Sequence, residues 1–269
     1  MNIIFDNKNR ILKELINICK ENNLWYSADN QTLLQAYSNK NNEEIFDHHD
    51  IMMTYDSYKQ LKKIVPNRLI DGISNSEYYG IQAKFVDNYL EVHNSQPFVN
   101  INFVISTNLK NLKQYTKLKT RNKSKINYFA QMNLSTLSPY KTKIRFAKLF
   151  KKFVSNLNYK DVFNLLNTQK YEGYIITSKY IKSNVADKWL SNFNFETETL
   201  KIEDNIEIQC IVEADKYLNN LYGNNYQNKE FELSNQIYIS PVDIINHESK
   251  DIEEVLEQAN NDNDVFCSK

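Results

Sequence analysis

The stretch Leu24–Leu61, "LWYSADNQTLLQAYSNKNNEEIFDHHDIMMTYDSYKQL", holds the pattern on which the fold turns. Its first apolar residues, from Leu24 to Ala28, read as a strand, and "QTLLQAYSNK" reads as a short helix. The polar run "NKNNEE" is then a loop that delivers the chain to Phe46–Asp50, "FDHHD". Ile51–Met53 begins a second strand, which turns helical by Tyr58. Two of the four histidines of the chain stand between two aspartates in those five residues. Such a group is a metal site, an altered carboxylate motif, or a loop or strand end that happens to be polar.

Outward from this centre, residues 8–22 carry Ile11, Leu12, Leu15, Ile16, Ile18 and Cys19 at helical spacing, an amphipathic helix with one buried stripe. "YYGIQAKFVDNYLEVH" and "PFVNINFVIST" alternate β-branched and aromatic residues with polar ones, the pattern of paired strands lying beside the first pair. Beyond residue 140, "KIRFAKLFKKFVSNL" and "KDVFNLLNTQ" are helical by period. Phe146, Leu149, Phe150, Phe153 and Val154 share one side of the first of them, and a core stripe is the expected role. Residues 193–226 read as alternating strands followed by the helix "EADKYLNNLYG". The expectation is one α+β unit over residues 1–246, a mixed sheet flanked by helices with a helical C-terminal half, and an acidic, partly disordered tail from His247 to Lys269.

Composition excludes several function classes. The chain has 269 residues, enough to bury a sizeable core without disulfides. Cys19, Cys210 and Cys267 are odd in number and far apart, so neither a zinc ribbon nor a secreted scaffold is indicated. The four glycines are isolated, which rules out both a GxGxxG fingerprint and a Walker A loop. Acidic and amide residues interrupt every apolar run near the start, so no signal peptide or membrane span is expected, and a soluble cytoplasmic protein is. Formal net charge is zero, but from Val92 through Lys160 there is no Asp or Glu, while fourteen Lys and Arg fall in that interval. It reads either as a solvated face or as a site for phosphate or another polyanion. Basic residues interleaved with Tyr115, Tyr128 and Phe129 also suit a nucleic acid, the lesser alternative.

Two families share spelling with FDHHD. Asp47–His49 spells the Asp-His-His triplet of a superfamily of metal-dependent phosphoesterases, but the upstream Asp-rich loop and the downstream glycine-rich segment of those enzymes have no counterpart here. The wider stretch resembles the LicD family of phosphotransferases, relatives of fukutin on the nucleotidyltransferase fold. The family's G-T-L-L-G-A meets Gln31–Ala36, "QTLLQA", and its D-D-D-I-D-I run meets Phe46–Ile51, "FDHHDI", without a gap between the blocks. A second block, "FETETLKIEDNIEIQCIVEADKYLNNLYGNNY", is similar to the family's C-terminal F-E…Y-L-x-x-L-Y-G-x-x-Y.

That resemblance implies a nucleotidyltransferase-like mixed sheet and a phospho-substituent, such as phosphocholine, moved from a CDP-linked donor to a glycan or lipid-linked acceptor. It implies Thr32 and Gln31 near phosphate, Asp47 and Asp50 as catalytic carboxylates, and a divalent metal, Mg or Mn, held by Asp47, His48, Asp50 and Asn102. Two carboxylates one residue apart on a strand point to the same side and hold the metal, and a third from a neighbouring strand activates the acceptor hydroxyl. Here the alternating pair falls on His48 and Asp50, and the third carboxylate falls on Asn100 or Asn102 in "VNINFV". An amide ligates a cation weakly and cannot serve as a base. The chain is therefore expected to be a divergent phosphotransferase or an inactive descendant that binds a polyanion, nucleic acid or protein. Lys117 and Lys119 are expected to flank the cleft and bind substrate phosphate.

Overall fold

A computed structural model describes residues 3–37, 48–75, 78–87, 98–131, 141–202 and 205–228. The order of elements follows the alternation of period in the sequence. Helix α1 (Ile3–Glu21) buries Ile11, Leu12, Leu15, Ile16 and Cys19 along one stripe. Strand β1 (Tyr26–Ala28) ends at Asp29, and Asn30 turns the chain into α2 (Asn30–Tyr37) with a positive φ of 44°, a conformation asparagine tolerates better than most side chains. Strand β2 (His49–Thr54) is longer than the sequence pattern suggested. It stops where the Thr54 hydroxyl caps α3 (Tyr55–Ile64) by accepting from the Ser57 amide.

Strands β3 (Leu69–Ile70) and β4 (Ala83–Phe85) then precede β5 (Val99–Thr107), the long strand at the centre of the sheet. Helices α4 (Leu109–Tyr115), α5 (Leu118–Ala130), α6 (Lys141–Lys151) and α7 (Tyr159–Leu166) follow. The C-terminal part adds β6 (Gly173–Ile176), a 3-10 turn over Ala186–Lys188, β7 (Trp189–Leu190), the β8 (Thr197–Ile202) and β9 (Ile206–Ile211) hairpin, and α8 (Ala214–Tyr222).

The main sheet is mixed. Its order runs β1-β2-β5-β4-β3, with β1 antiparallel to β2 and β2 parallel to β5. One edge of β5 is divided between two partners: Val99–Ile101 pairs with β4, and Val104–Thr107 pairs with β6. Gly173 in β6 lies under the Trp189 indole, and any side chain there would run into the ring. On one face of the sheet, Ile51, Met53, Ile101 and Phe103 meet α1, α3 and α7. Phe103 sits edge-on to Tyr58 of α3 and stacks on Tyr159 of α7, each at 5.0 Å. Burial of a side chain of that size contributes about 2 kcal/mol. The register Asp50↔Asn100 and Lys84↔Asn100 puts Asp50, Asn100, Asn102, Gln82 and Lys84 on the other face, and all five are buried.

Helices α5 and α6 pack together over a small separate core of Tyr128, Phe129, Ile144 and Ala147. Here the sequence expectation fails. The stripe Phe146, Leu149, Phe150, Phe153 and Val154 does not enter a core: Phe146 is 58% exposed, Leu149 59% and Phe153 75%, and Val154 is half-buried. The reason lies in α6 itself, where Ile144 and Ala147 occupy the buried side and are small enough for close approach to α5.

Candidate functional site

Asp29 is the hub of the polar face. It is fully buried, at the turn from β1 into α2. Its carboxylate accepts from the Tyr217 hydroxyl at 2.6 Å and the Asn102 amide at 2.7 Å, and lies 3.4 Å from the Lys188 ammonium. The Asn30 backbone N–H donates to it at 2.7 Å. Lys188 also donates to the Asn30 side chain and, at 2.7 Å, to the Tyr217 hydroxyl. Asn102 is used at both ends, since its carbonyl oxygen accepts from Gln82 at 2.6 Å.

Beside this hub, Asp50 accepts from the Asn100 amide at 3.0 Å, and the Asn100 carbonyl accepts from the Lys84 ammonium at 3.1 Å. Lys84 is fully buried and stands 3.3 Å from the centroid of the Phe98 ring, which stacks on His48. His48 and Asp50 are neighbours as period two requires, with Nε2 3.7 Å from the carboxylate. Burial pushes the Asp50 carboxyl above its ordinary range; Asp29 adds to the rise, while His48, Asn100 and Lys188 oppose it.

Thr32 joins α2 to β2. Its hydroxyl accepts from the Asp50 backbone N–H at 2.8 Å and faces Nδ1 of His49 at 3.4 Å. His49 points away from the polar face, and its Nε2 is 2.8 Å from the Asn9 side-chain oxygen of α1. These partners assign the neutral tautomer in which Nε2–H donates and Nδ1 accepts. Burial, with smaller contributions from Lys8 and His48, holds the imidazole well below its ordinary value, which keeps it neutral.

Of the residues singled out in the sequence, Thr32, His48, Asp50 and Asn102 thus belong to one connected group. Asp47 lies outside the described residues. Gln31 is half-buried on α2. Lys117 and Lys119 are exposed at the start of α5, and neither shares a bond or ion pair with Asp29 or Asp50. Asp50 is a strand residue and not a helix cap, a role that Thr54 fills.

A divalent cation does not fit the described donors. Among the described residues no group of three or more His, Cys, Asp or Glu is arranged to hold a metal ion. Asn102 spends its carbonyl on Gln82, Asp29 is matched by Lys188 and Tyr217, and one carboxylate oxygen of Asp50 beside His48 is too little for magnesium.

Sequence reasoning missed Asp29, Gln82, Lys84, Lys188 and Tyr217. The alternation in "IQAKF" was the available signal: Gln82 and Lys84 take the polar positions of the pattern, as Asn100 and Asn102 do in "VNINFV". Among the described residues no helix is long and apolar enough to cross a membrane. Comparison of the chain with protein-family models, curated proteins and solved structures found no match.

Proposed function

We propose that this chain is a divergent LicD-like domain that binds the phospho-substituent of a nucleotide-linked, CDP-type donor at the Asp50 end of the sheet, and that it does so without a divalent metal. The supporting observation is the pairing of charge on the polar face. The ammonium groups of Lys84 and Lys188 bring as much positive charge as Asp29 and Asp50 bring negative. A phosphate group held at the edge of such a face, beside His48 and Asp50, needs no bridging cation to offset the carboxylates, since their charge is already matched. The resemblance supplies the substrate class, including a glycan or lipid-linked acceptor. The connection of Thr32, Asp50, Asn100 and Asn102 across α2, β2 and β5 supports the use of that resemblance.

A second reading has its own support. Asp29 is bonded to Asn102, Lys188 and Tyr217, and Lys188 to Tyr217, so this part of the network is closed on itself, as in a descendant that has given up transfer and acts as a polyanion-, nucleic-acid- or protein-binding module.

Titration calorimetry with CTP and CDP-choline, in chelator and again with Mg²⁺ or Mn²⁺, separates the readings. Binding that is equal in all conditions and is lost in Lys84→Met, with the thermal unfolding of that variant still cooperative and above the assay temperature, supports the metal-free site. Binding that requires Mn²⁺ or Mg²⁺ overturns that part and returns the metal to a site that includes Asp47. Absence of nucleotide binding in every condition leaves only the module.

A further inference from the structure

Helix α6 has three sides instead of two. Ile144 and Ala147 face the small core shared with α5. Phe146, Leu149 and Phe150 follow at the i, i+3, i+4 spacing of a second apolar stripe, Phe153 stands in the turn just after the helix, and all four are exposed, with Phe146 and Phe150 in ring contact at 4.3 Å. Arg145 and Lys148 are basic residues on the remaining side, Lys152 stands in the turn after the helix, and all three are exposed. Beside Phe146, α5 and α6 enclose an open groove of about 320 Å³ lined by Lys125, Ile126, Phe129, Lys143, Phe146 and Ala147. No acidic residue occurs between Val92 and Lys160, the interval that contains both helices.

We propose that the α5–α6 face docks on an anionic lipid bilayer. An exposed stripe of phenylalanine and leucine beside a stripe of lysine and arginine is the surface of a helix that lies in the plane of the interface, apolar side among acyl chains and cations among lipid phosphates. The groove extends this surface by admitting the end of an acyl chain between Lys125 and Lys143. The acid-free sequence of both helices matches anionic headgroups, and the exposed phenylalanine and leucine side chains beside it match the acyl chains beneath them. The proposal does not depend on the nucleotide reading.

The test is flotation of the full chain with phosphatidylcholine vesicles, with and without phosphatidylglycerol. Flotation is expected with the anionic vesicles alone and is expected to fall with salt. Lys148→Gln with Lys152→Gln should weaken it roughly 20- to 30-fold, from the usual contribution of a lysine at an anionic surface. Phe146→Ser with Phe153→Ser should weaken it roughly tenfold or more. All four positions are exposed, so unchanged thermal unfolding is the control for folding. Equal flotation with neutral vesicles overturns the proposal, as does indifference to both pairs of substitutions. So does a lack of flotation, whether the face instead proves to join two copies, with the phenylalanine variants sedimenting as monomers where the parent is a dimer, or to bind a single-stranded RNA oligonucleotide.

Discussion

The inner face of the sheet around Asp29 and the outer face of α5 and α6 are both rich in lysine, and they use it in opposite ways. Inside, Lys84 and Lys188 each stand within bonding distance of an amide or carboxylate, and each lies against an aromatic ring. Outside, Lys119, Lys125, Arg145, Lys148 and Lys152 accumulate with no acid among them. Water screens the outer set at almost no cost, whereas a buried charge must be matched group by group or it unfolds the protein. Charge on the inner face therefore builds the fold, and charge on the outer face is left over for something else to meet.

The sharpest way to break that contrast is to remove one inner cation. Lys188→Met leaves Asp29 buried beside donors too few to hold its charge, and should cost about 3–5 kcal/mol in urea unfolding. Adding Asp29→Asn should recover much of the loss, which a cavity or packing effect at position 188 would not allow. Next in size is Thr32→Val, which keeps the shape but takes the acceptor from the buried Asp50 amide. A loss of about 1–3 kcal/mol is expected by the same measurement.

Two titrating groups of the inner region should then pull in opposite directions with pH. His49 is held below its ordinary value, so its contribution to stability is complete above the unfolded pKa of about 6.5 and is lost as pH falls from there through the folded value. Melting temperature should drop as pH falls from about 6.5, and less steeply in His49→Gln. Asp50 is raised by burial, so its contribution is complete below the unfolded pKa and is lost as pH rises through the folded one. Asp50→Asn should therefore melt above the parent near pH 7, with the gap closing near pH 3. The outer region supplies the smallest effect: Lys117→Glu with Lys119→Glu should change unfolding free energy by no more than about 0.5 kcal/mol. A larger change there would mean that outer charge is structural after all.

Much of this was legible in the chain. The apolar stripe of α1, the strand-to-helix passage at Thr54, and the β8–β9–α8 block all follow from hydrophobic period. So does the sharing of one face by His48 and Asp50. Two things were not, and for one reason. Period reveals which residues lie on the same side of an element, not whether that side meets water. The stripe of α6 looked like a core and is exposed; the polar positions of β4 carried no reading of their own and are buried. Lys188 and Tyr217 carry no local signal at all, because what makes them part of the site is a partner more than 150 residues away, as their separations of 159 and 188 from Asp29 record.

Those separations also set a schedule. Asn102, Lys188 and Tyr217 reach Asp29 across 73, 159 and 188 residues. Each contact requires a longer loop to close before any stabilisation is gained. A chain growing from its N-terminus has β1, β2 and β5 long before it has α8, so a sheet assembled early holds Asp29 without the Lys188 and Tyr217 that meet it. The expected consequence is that an N-terminal part lacking Lys188 and Tyr217 is less stable than the whole chain, so that arrival of the C-terminal helix adds stability to strands formed long before it.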